Sequence, residues 1–153
     1  VKSELIEAVQ RLNPPGPDRK VRILAVDDDL LVLELLKAML VETEFEIRGE
    51  ADANEAFEQI KRQPPDLVIL DLLMPIINGF EFLKMLRADP SIRDLPVLIL
   101  SARTLTPGER ADLAASAQAV LSKNSLQREA LVAEIRRIEQ LRTVLADPVT
   151  RLK

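Results

Sequence analysis

Residues 66–75 read Asp-Leu-Val-Ile-Leu-Asp-Leu-Leu-Met-Pro, and this segment carries the clearest structural signal in the chain. Its apolar run, Leu67–Leu70, is unbroken, which predicts a strand buried on both faces. Pro64 and Pro65 stand just before it and end the preceding helical pattern. A strand buried on both faces belongs inside a parallel sheet that helices cover on each side.

Apolar runs and helical patterns alternate along the chain on both sides of this strand. Asp52 and Asn78 are candidate N-caps, and Pro107 stands in the first turn of another helix. The predicted strands are Val21–Val26, Phe45–Gly49, Leu67–Leu70, Val97–Leu100 and Ala119–Leu121, and the predicted helices are Leu30–Val41, Asp52–Arg62, Gly79–Arg87, Pro107–Ser116 and about Leu126 to Leu145. This alternation predicts an α/β fold, a doubly wound five-stranded parallel sheet with helices on both faces.

The two ends of the chain fall outside this pattern. Residues 1–12 predict a short amphipathic helix, either the end of a preceding domain or an arbitrary extension. Residues 13–19 predict a Pro-rich linker, and residues 20–140 the main domain. Residues 141–153 continue the last helix as an extension and tail, which either packs on the same body or pairs with another helix.

Composition excludes several kinds of chemistry. The 153 residues contain no Cys and no His, so disulfides, zinc sites, thiol catalysis and His-based acid–base chemistry are excluded. The net charge is -4 and no block of Lys or Arg concentrates positive charge, so nucleic acid is a poor candidate partner. No apolar run is long enough to span a bilayer, and we expect no membrane contact by this segment.

Polar side chains stand at the carboxyl ends of four predicted strands. The first strand runs into Asp27-Asp28-Asp29, the third into Asp71, the fourth into Ser101, and the fifth into Ser122-Lys123. Each alone has an ordinary structural explanation; Asp29, for example, suits a helix N-cap. Together they place several carboxylates, a hydroxyl and an amine at the sheet edge where doubly wound proteins bind ligands.

The chemistry of this set favours phosphoryl transfer. Carboxylates that share a site repel one another unless a cation is present, and Mg2+ prefers carboxylate, water and phosphate oxygens. A lysine and a serine can stabilise the charge on the equatorial oxygens of a transferring phosphoryl group. The set therefore indicates a carboxylate nucleophile that works with Mg2+.

These segments resemble the receiver domains of response regulators in two-component signalling. The resemblance lies in Ile23–Asp29, Asp66–Pro75, Asn78-Gly79, Leu100–Ala102 and Lys123, in the family's order and spacing. It covers about residues 20–140 and implies a flavodoxin-like strand order of 2-1-3-4-5. It also implies a cytoplasmic domain of a phosphorelay that receives its phosphoryl group from a histidine kinase or a phosphotransfer domain.

The resemblance implies a role for each matching residue. Asp71 would be the phosphoacceptor, and Mg2+ would be bound by Asp27, Asp28, Asp71 and the backbone carbonyl of Leu73. Lys123, Ser101 and the amide of Ala102 would contact the phosphoryl group, and Pro75 and Gly79 would shape the loop after the third strand. The domain would catalyse its own phosphorylation and slow dephosphorylation, without turnover of an external substrate unless it forms part of a hybrid histidine kinase.

Three positions depart from the family's usual pattern. Val120 stands where an aromatic switch residue is usual, which puts the usual readout on that face in doubt. Asn124 replaces the proline that usually follows the lysine, so the loop could be placed differently. Leu73 is bulky and apolar beside the phosphoacceptor, and we expect it to hinder water and slow hydrolysis of the acyl phosphate.

Two other functions remain open on the sequence. One is an aspartyl-phosphate hydrolase for small molecules, although such enzymes usually carry a second Asp where Leu73 stands. The other is a receiver-like scaffold that binds a partner without phosphorylation. Too few residues remain for a helix-turn-helix output domain, so we expect the terminal receiver of a hybrid kinase or a stand-alone or excised receiver, with the terminal helices as candidate homodimer surfaces.

Overall fold

Five strands and five α-helices alternate along residues 20–146, the part of the chain that the computed structural model describes. The elements are β1 (Val21–Val26), α1 (Leu30–Met39), β2 (Phe45–Glu50), α2 (Ala53–Arg62), β3 (Leu67–Asp71), α3 (Gly79–Ala88), β4 (Val97–Ser101), α4 (Pro107–Ala114), β5 (Ala119–Ser122) and α5 (Arg128–Ala146). A 3-10 turn, Lys123–Ser125, joins β5 to α5 and was not predicted. The predicted helix at residues 1–12, the linker at 13–19 and the tail from residue 147 lie outside the described residues.

The five strands form one parallel sheet in the order β2-β1-β3-β4-β5. This confirms the doubly wound α/β fold and the flavodoxin-like order. The direction of winding reverses between β1 and β3, where Val26 lies opposite Leu70. The residues that follow these two positions therefore lie side by side at the carboxyl edge, where sheets of this kind bind ligands.

The unbroken apolar run of β3 is explained by two separate cores. Val68 and Leu70 point to the face that α2, α3 and α4 cover, whereas Leu67 and Ile69 point to the face that α1 and α5 cover. Because neighbouring residues of a strand alternate between faces, a central strand must be apolar at every position when helices pack on both sides.

Side-chain caps start the helices within a few residues of the strand ends. The Asp29 carboxylate accepts a hydrogen bond from the Leu31 N–H at 2.9 Å. Asp52 and Asn78 cap α2 and α3 in the same way, as predicted. Thr106 and Glu109 form a reciprocal capping box at the start of α4. Helix capping, rather than metal binding, therefore explains the third aspartate of the Asp27–Asp29 run.

At the opposite, amino-terminal edge of the sheet, Asp66 joins three elements. Its Oδ2 accepts a hydrogen bond from the Arg22 N–H of β1 at 2.8 Å, and its Oδ1 accepts one from Arg142 Nη1 of α5 at 3.1 Å. The Arg142 guanidinium also lies 3.3 Å from Glu139 Oε2. Helix α5 continues past residue 140 without a break, and Arg142 of the predicted extension contacts the body of the domain.

Candidate functional site

The residues that the sequence places at the strand ends lie together at the carboxyl edge of the sheet. Asp27 directly follows β1, Asp71 is the last residue of β3, Ser101 is the last of β4, and Lys123 directly follows β5. Asp27, Asp71 and Ser101 are buried, at 2%, 3% and 2% exposure. Asp28 is exposed.

Lys123 links the two buried aspartates. Its Nζ lies 2.7 Å from Asp27 Oδ2 and 3.1 Å from Asp71 Oδ1. One ammonium group therefore serves two buried carboxylates, which leaves an excess of negative charge in a site with little solvent.

The three carboxylates have the composition and spacing of a divalent cation site. One oxygen each of Asp27, Asp28 and Asp71 lies within 4.8 Å of the others. Asp27 Oδ1 accepts a hydrogen bond from the Asp29 N–H at 2.9 Å. Asp27 Oδ2 is buried, and within residues 20–146 no hydrogen-bond donor is aligned with it, although the Lys123 ammonium offsets its charge. A buried carboxylate oxygen with spare acceptor capacity, beside two more carboxylates, fits a hard cation such as Mg2+.

The protonation equilibria of Asp71 and Lys123 are perturbed by burial and by each other. Burial raises the pKa of Asp71, and the negative charge of Asp27 raises it further, while contacts with Lys123 and the Leu73 N–H act in the opposite direction. Burial lowers the pKa of Lys123, but its contacts with Asp27 and Asp71 outweigh this effect and raise the pKa overall. Lys123 is therefore held as a cation, and the Asp71 carboxylate lies in an environment that disfavours its charge.

Gly79 allows the start of α3 to pack against the end of β3. A Cβ atom at this position would lie 2.5 Å from the Asp71 carbonyl oxygen and 2.5 Å from the Leu72 Cα, so no larger residue fits without a backbone shift. The Gly79 N–H donates to the Leu72 carbonyl at 2.9 Å. Together with the 3.2 Å hydrogen bond from the Leu73 N–H to Asp71 Oδ1, this contact fixes the Leu72–Leu73 peptide group that follows Asp71.

The loop after Leu73 contains a strained apolar residue. Ile76 has a positive φ of 69°, and the Ile77 N–H donates to the Pro75 carbonyl at 2.7 Å, which closes a γ-turn around it. A β-branched residue rarely adopts this conformation. The Ile76 side chain is 92% exposed, and Leu73 is half-exposed beside the site. This strained turn lies in the loop directly after the candidate phosphoacceptor.

Ser101 and Ala102 are adjacent to the acidic cluster, but their described contacts lie within the loops. The Ser101 hydroxyl donates to the Arg103 carbonyl at 2.9 Å and accepts from the Arg103 N–H at 3.3 Å. The Ala102 carbonyl accepts a hydrogen bond from Asn124 Nδ2 at 2.9 Å. Sequence reasoning marked Asn124 only as a departure from the family pattern and missed this contact. Val120 is half-buried against the core on the α2–α4 side.

A doubly wound sheet with aspartates and a lysine at the carboxyl edge defines the receiver class of signalling domains. The family model described as the response regulator receiver domain matches residues 23–136, more than half of the chain. The chain belongs to this family, which confirms the resemblance seen in the sequence. Family membership also sets aside the alternative of a small-molecule hydrolase.

Relatives and solved structures give the same assignment. Response regulator MprA of Mycobacterium leprae is 39% identical over 116 residues, which cover 76% of this chain and 50% of that protein. The chain thus spans about half the length of the curated relatives it matches. A putative response regulator from Chloroflexus aurantiacus has a TM-score of 0.73 at 33% identity, covering 80% of this chain and 99% of that one.

A second solved structure has a metal in the corresponding fold. The receiver domain of a sensor histidine kinase from Pseudomonas aeruginosa has a TM-score of 0.71 at 25% identity, covering 79% of this chain and 98% of that one. That protein was solved with a magnesium ion coordinated in its active site cleft.

In the part of the present chain that the structure describes, none of the helices combines the length and apolar character needed to cross a membrane.

Proposed function

We propose that this receiver domain accepts a phosphoryl group on Asp71, with Mg2+, from a phosphohistidine of a histidine kinase or a phosphotransfer domain. The observation that carries the proposal is the shared ammonium: Lys123 lies between Asp27 and Asp71, and Asp27 Oδ2 retains acceptor capacity toward the site. The site therefore carries an excess of negative charge that a divalent cation would offset, and the same cation would offset the charge of an incoming phosphoryl group.

The proposed step is a single displacement at phosphorus. An oxygen of the Asp71 carboxylate attacks, the phosphorus–nitrogen bond to the donor imidazole breaks, and the electron pair of that bond leaves with the imidazole. The product is an acyl phosphate on Asp71. Lys123, already 3.1 Å from Asp71, would remain beside the transferred group and offset its negative charge.

Mg2+ would be held by the carboxylates of Asp27, Asp28 and Asp71 and by the carbonyl of Leu73. When bound, it would neutralise part of the charge on the phosphoryl oxygens. Ser101 and the Ala102 N–H would donate to those oxygens, which requires the Ser101 hydroxyl to leave the Arg103 carbonyl. The domain would thus catalyse its own phosphorylation and its slow dephosphorylation, with no other substrate.

Phosphorylation of Asp71 would act through other proteins. The change at Asp71 would alter contacts with an output partner, and residues 20–140 would form the switching unit. The end of α5 and the helix that the sequence predicts at residues 1–12 would offer surfaces for a homodimer. A donor phosphohistidine that is made from ATP places the domain in the cytoplasm, either as a module of a hybrid histidine kinase or as a separate receiver.

Intact-mass measurement tests this function directly. The protein would be incubated with Mg2+ and acetyl phosphate, alongside Asp71→Asn, Asp28→Ala and the control Asp29→Asn, which keeps an N-cap side chain on α1. We expect one added phosphoryl group in the wild type and the control. We expect none in Asp71→Asn, and a large reduction in Asp28→Ala or without Mg2+. A folded wild type that gains no mass would instead favour a scaffold that binds its partner without phosphorylation.

A further inference from the structure

We propose that Asn124 is a positioning residue that holds the Ser101 loop in its resting, unphosphorylated arrangement, acting through the peptide group between Ala102 and Arg103. The inference rests on the proposed function and deepens it, because it assigns control of that site to a residue outside the acidic cluster.

Asn124 joins two loops through a side-chain hydrogen bond. Asn124 Nδ2 donates to the Ala102 carbonyl at 2.9 Å, although the residues lie 22 positions apart. Asn124 itself is fixed, because its N–H donates to Ser122 Oγ at 3.2 Å. It lies in the 3-10 turn directly after Lys123. The turn that carries the lysine is therefore tied to the loop that carries Ser101.

The other end of the same peptide group contacts Ser101. Its carbonyl, from Ala102, is held by Asn124, and its N–H, from Arg103, donates to Ser101 Oγ at 3.3 Å. The Ser101 hydroxyl donates in turn to the Arg103 carbonyl at 2.9 Å. A serine hydroxyl has a single O–H donor, so Ser101 must give up the Arg103 carbonyl before it can donate to a phosphoryl oxygen.

The direction of the effect follows from the state in which the contact exists. The Asn124–Ala102 hydrogen bond is present in the arrangement where Ser101 is turned toward Arg103. We infer that this hydrogen bond is broken when Ser101 turns to a phosphoryl oxygen, and a contact made only in one of two conformations opposes any ligand that favours the other. Asn124 therefore acts against the move of Ser101 toward the phosphoryl group. A proline, which has no side-chain donor, could not make this contact.

The size of the effect is that of one exposed neutral hydrogen bond. Such a bond changes an equilibrium by roughly two- to tenfold. Removal of the Asn124 amide should therefore strengthen binding of a phosphoryl analogue by this factor. The effect should depend on the Ser101 hydroxyl, because this hydroxyl contacts the peptide group that Asn124 holds.

The test is a double-mutant cycle with beryllofluoride, a tetrahedral analogue of the phosphoryl group. Beryllofluoride affinity would be measured at saturating Mg2+ for the wild type, Asn124→Ala, Ser101→Ala and the double variant. Asn124→Leu, which keeps the bulk of the side chain but has no donor, provides a second reading. Ser125→Ala, in the same 3-10 turn, is the matched control. Thermal unfolding without ligand would establish that each variant is folded.

We expect Asn124→Ala and Asn124→Leu to bind beryllofluoride roughly two- to tenfold more tightly than the wild type, with Mg2+ affinity unchanged. In the Ser101→Ala background, the Asn124 substitution should have a clearly smaller effect than in the wild type. Equal affinities of wild type and both Asn124 variants, or an undiminished effect without the Ser101 hydroxyl, would overturn the inference and leave the proposed function intact. A folded wild type that binds no beryllofluoride would overturn both.

Discussion

Strand β3 has a buried aspartate at each end, and the two differ in how their oxygens are bound. Asp66 precedes the strand at the amino-terminal edge of the sheet, and Asp71 ends it at the carboxyl edge. Both are nearly inaccessible, at 6% and 3% exposure. Burial therefore does not distinguish a structural aspartate from a reactive one here.

The hydrogen-bond donors make the distinction. Asp66 receives a backbone N–H from Arg22 and a guanidinium N–H from Arg142, one on each oxygen. Asp71 shares one ammonium with Asp27 and receives the Leu73 N–H on the same oxygen, Oδ1, and burial raises the pKa of Asp71. A buried carboxylate with its own partners joins parts of a fold, whereas carboxylates that share too few donors form a site that favours an incoming cation.

The largest effect is expected on phosphoryl uptake, from the substitution Asp71→Asn. Loss of the nucleophile should lower phosphoryl uptake by about a thousandfold or more, measured by intact mass with Mg2+ and acetyl phosphate. Stability without Mg2+ at neutral pH should not fall, because the raised pKa of Asp71 means that its charge is unfavourable in the folded state. A marked loss of stability in urea unfolding would show that Asp71 is a structural residue like Asp66.

At the other end of β3, Asp66→Ala should reduce stability rather than phosphoryl uptake. The Arg22 N–H and the Arg142 guanidinium would lose their acceptor, which should cost about 2–4 kcal/mol of unfolding free energy. Phosphoryl uptake by the folded protein should persist. Asp112→Ala, at an exposed position of α4, serves as the control and should change stability by less than about 0.5 kcal/mol. Equal stabilities of the two variants would contradict the structural role of Asp66.

The sequence predicted the reactive end of this strand better than the structural end. Alternation of strand and helix patterns determines which strand ends share an edge, so Asp27, Asp71 and Lys123 could be placed together from order alone. Asp66 also stood in a matching motif, but its partner Arg142 is 76 residues away, and no local pattern selects it. The same reason hid the Asn124–Ala102 contact, which joins residues 22 positions apart. The γ-turn at Ile76 was missed because a β-branched residue gives no signal for a positive φ.

A smaller effect is expected on the lifetime of the phosphorylated protein, from substitution of Leu73 beside Asp71. If the half-exposed Leu73 side chain keeps water from the acyl phosphate, Leu73→Asn should shorten the lifetime of the phosphorylated protein by on the order of tenfold. The decay of the added mass after removal of the phosphodonor measures this lifetime. Ile76→Asn makes the same change three residues along the loop and should alter the lifetime little. Equal decay in Leu73→Asn and wild type would mean that Leu73 does not exclude water.

The smallest effect is expected on the pH dependence of stability, from substitution of Glu139. Arg142 contacts both Glu139 and Asp66. Burial raises the pKa of Glu139 above its usual value, and the charge of Asp66 adds to this, whereas Arg142 lowers it. An acid whose pKa is raised on folding contributes stability that is present below its unfolded pKa and is lost as pH rises through its folded pKa. Glu139→Gln should therefore lose less stability than the wild type as the pH rises from about 4 to about 8. Urea unfolding of both proteins across this range would refute the expectation if the two curves remained parallel.

The contacts of Asp66 also bear on how long the domain stays folded. They join Arg22 in the first strand to Arg142 in the last helix, so they can form only when the two ends of the described chain have come together. We expect these long-range contacts to form after the main folding barrier, and contacts absent from the transition state affect mainly the unfolding rate. Weakening them should then accelerate unfolding and leave the folding rate nearly unchanged. Arg142 would thus govern the kinetic lifetime of the native state, although it lies at the opposite edge of the sheet from the phosphoacceptor site.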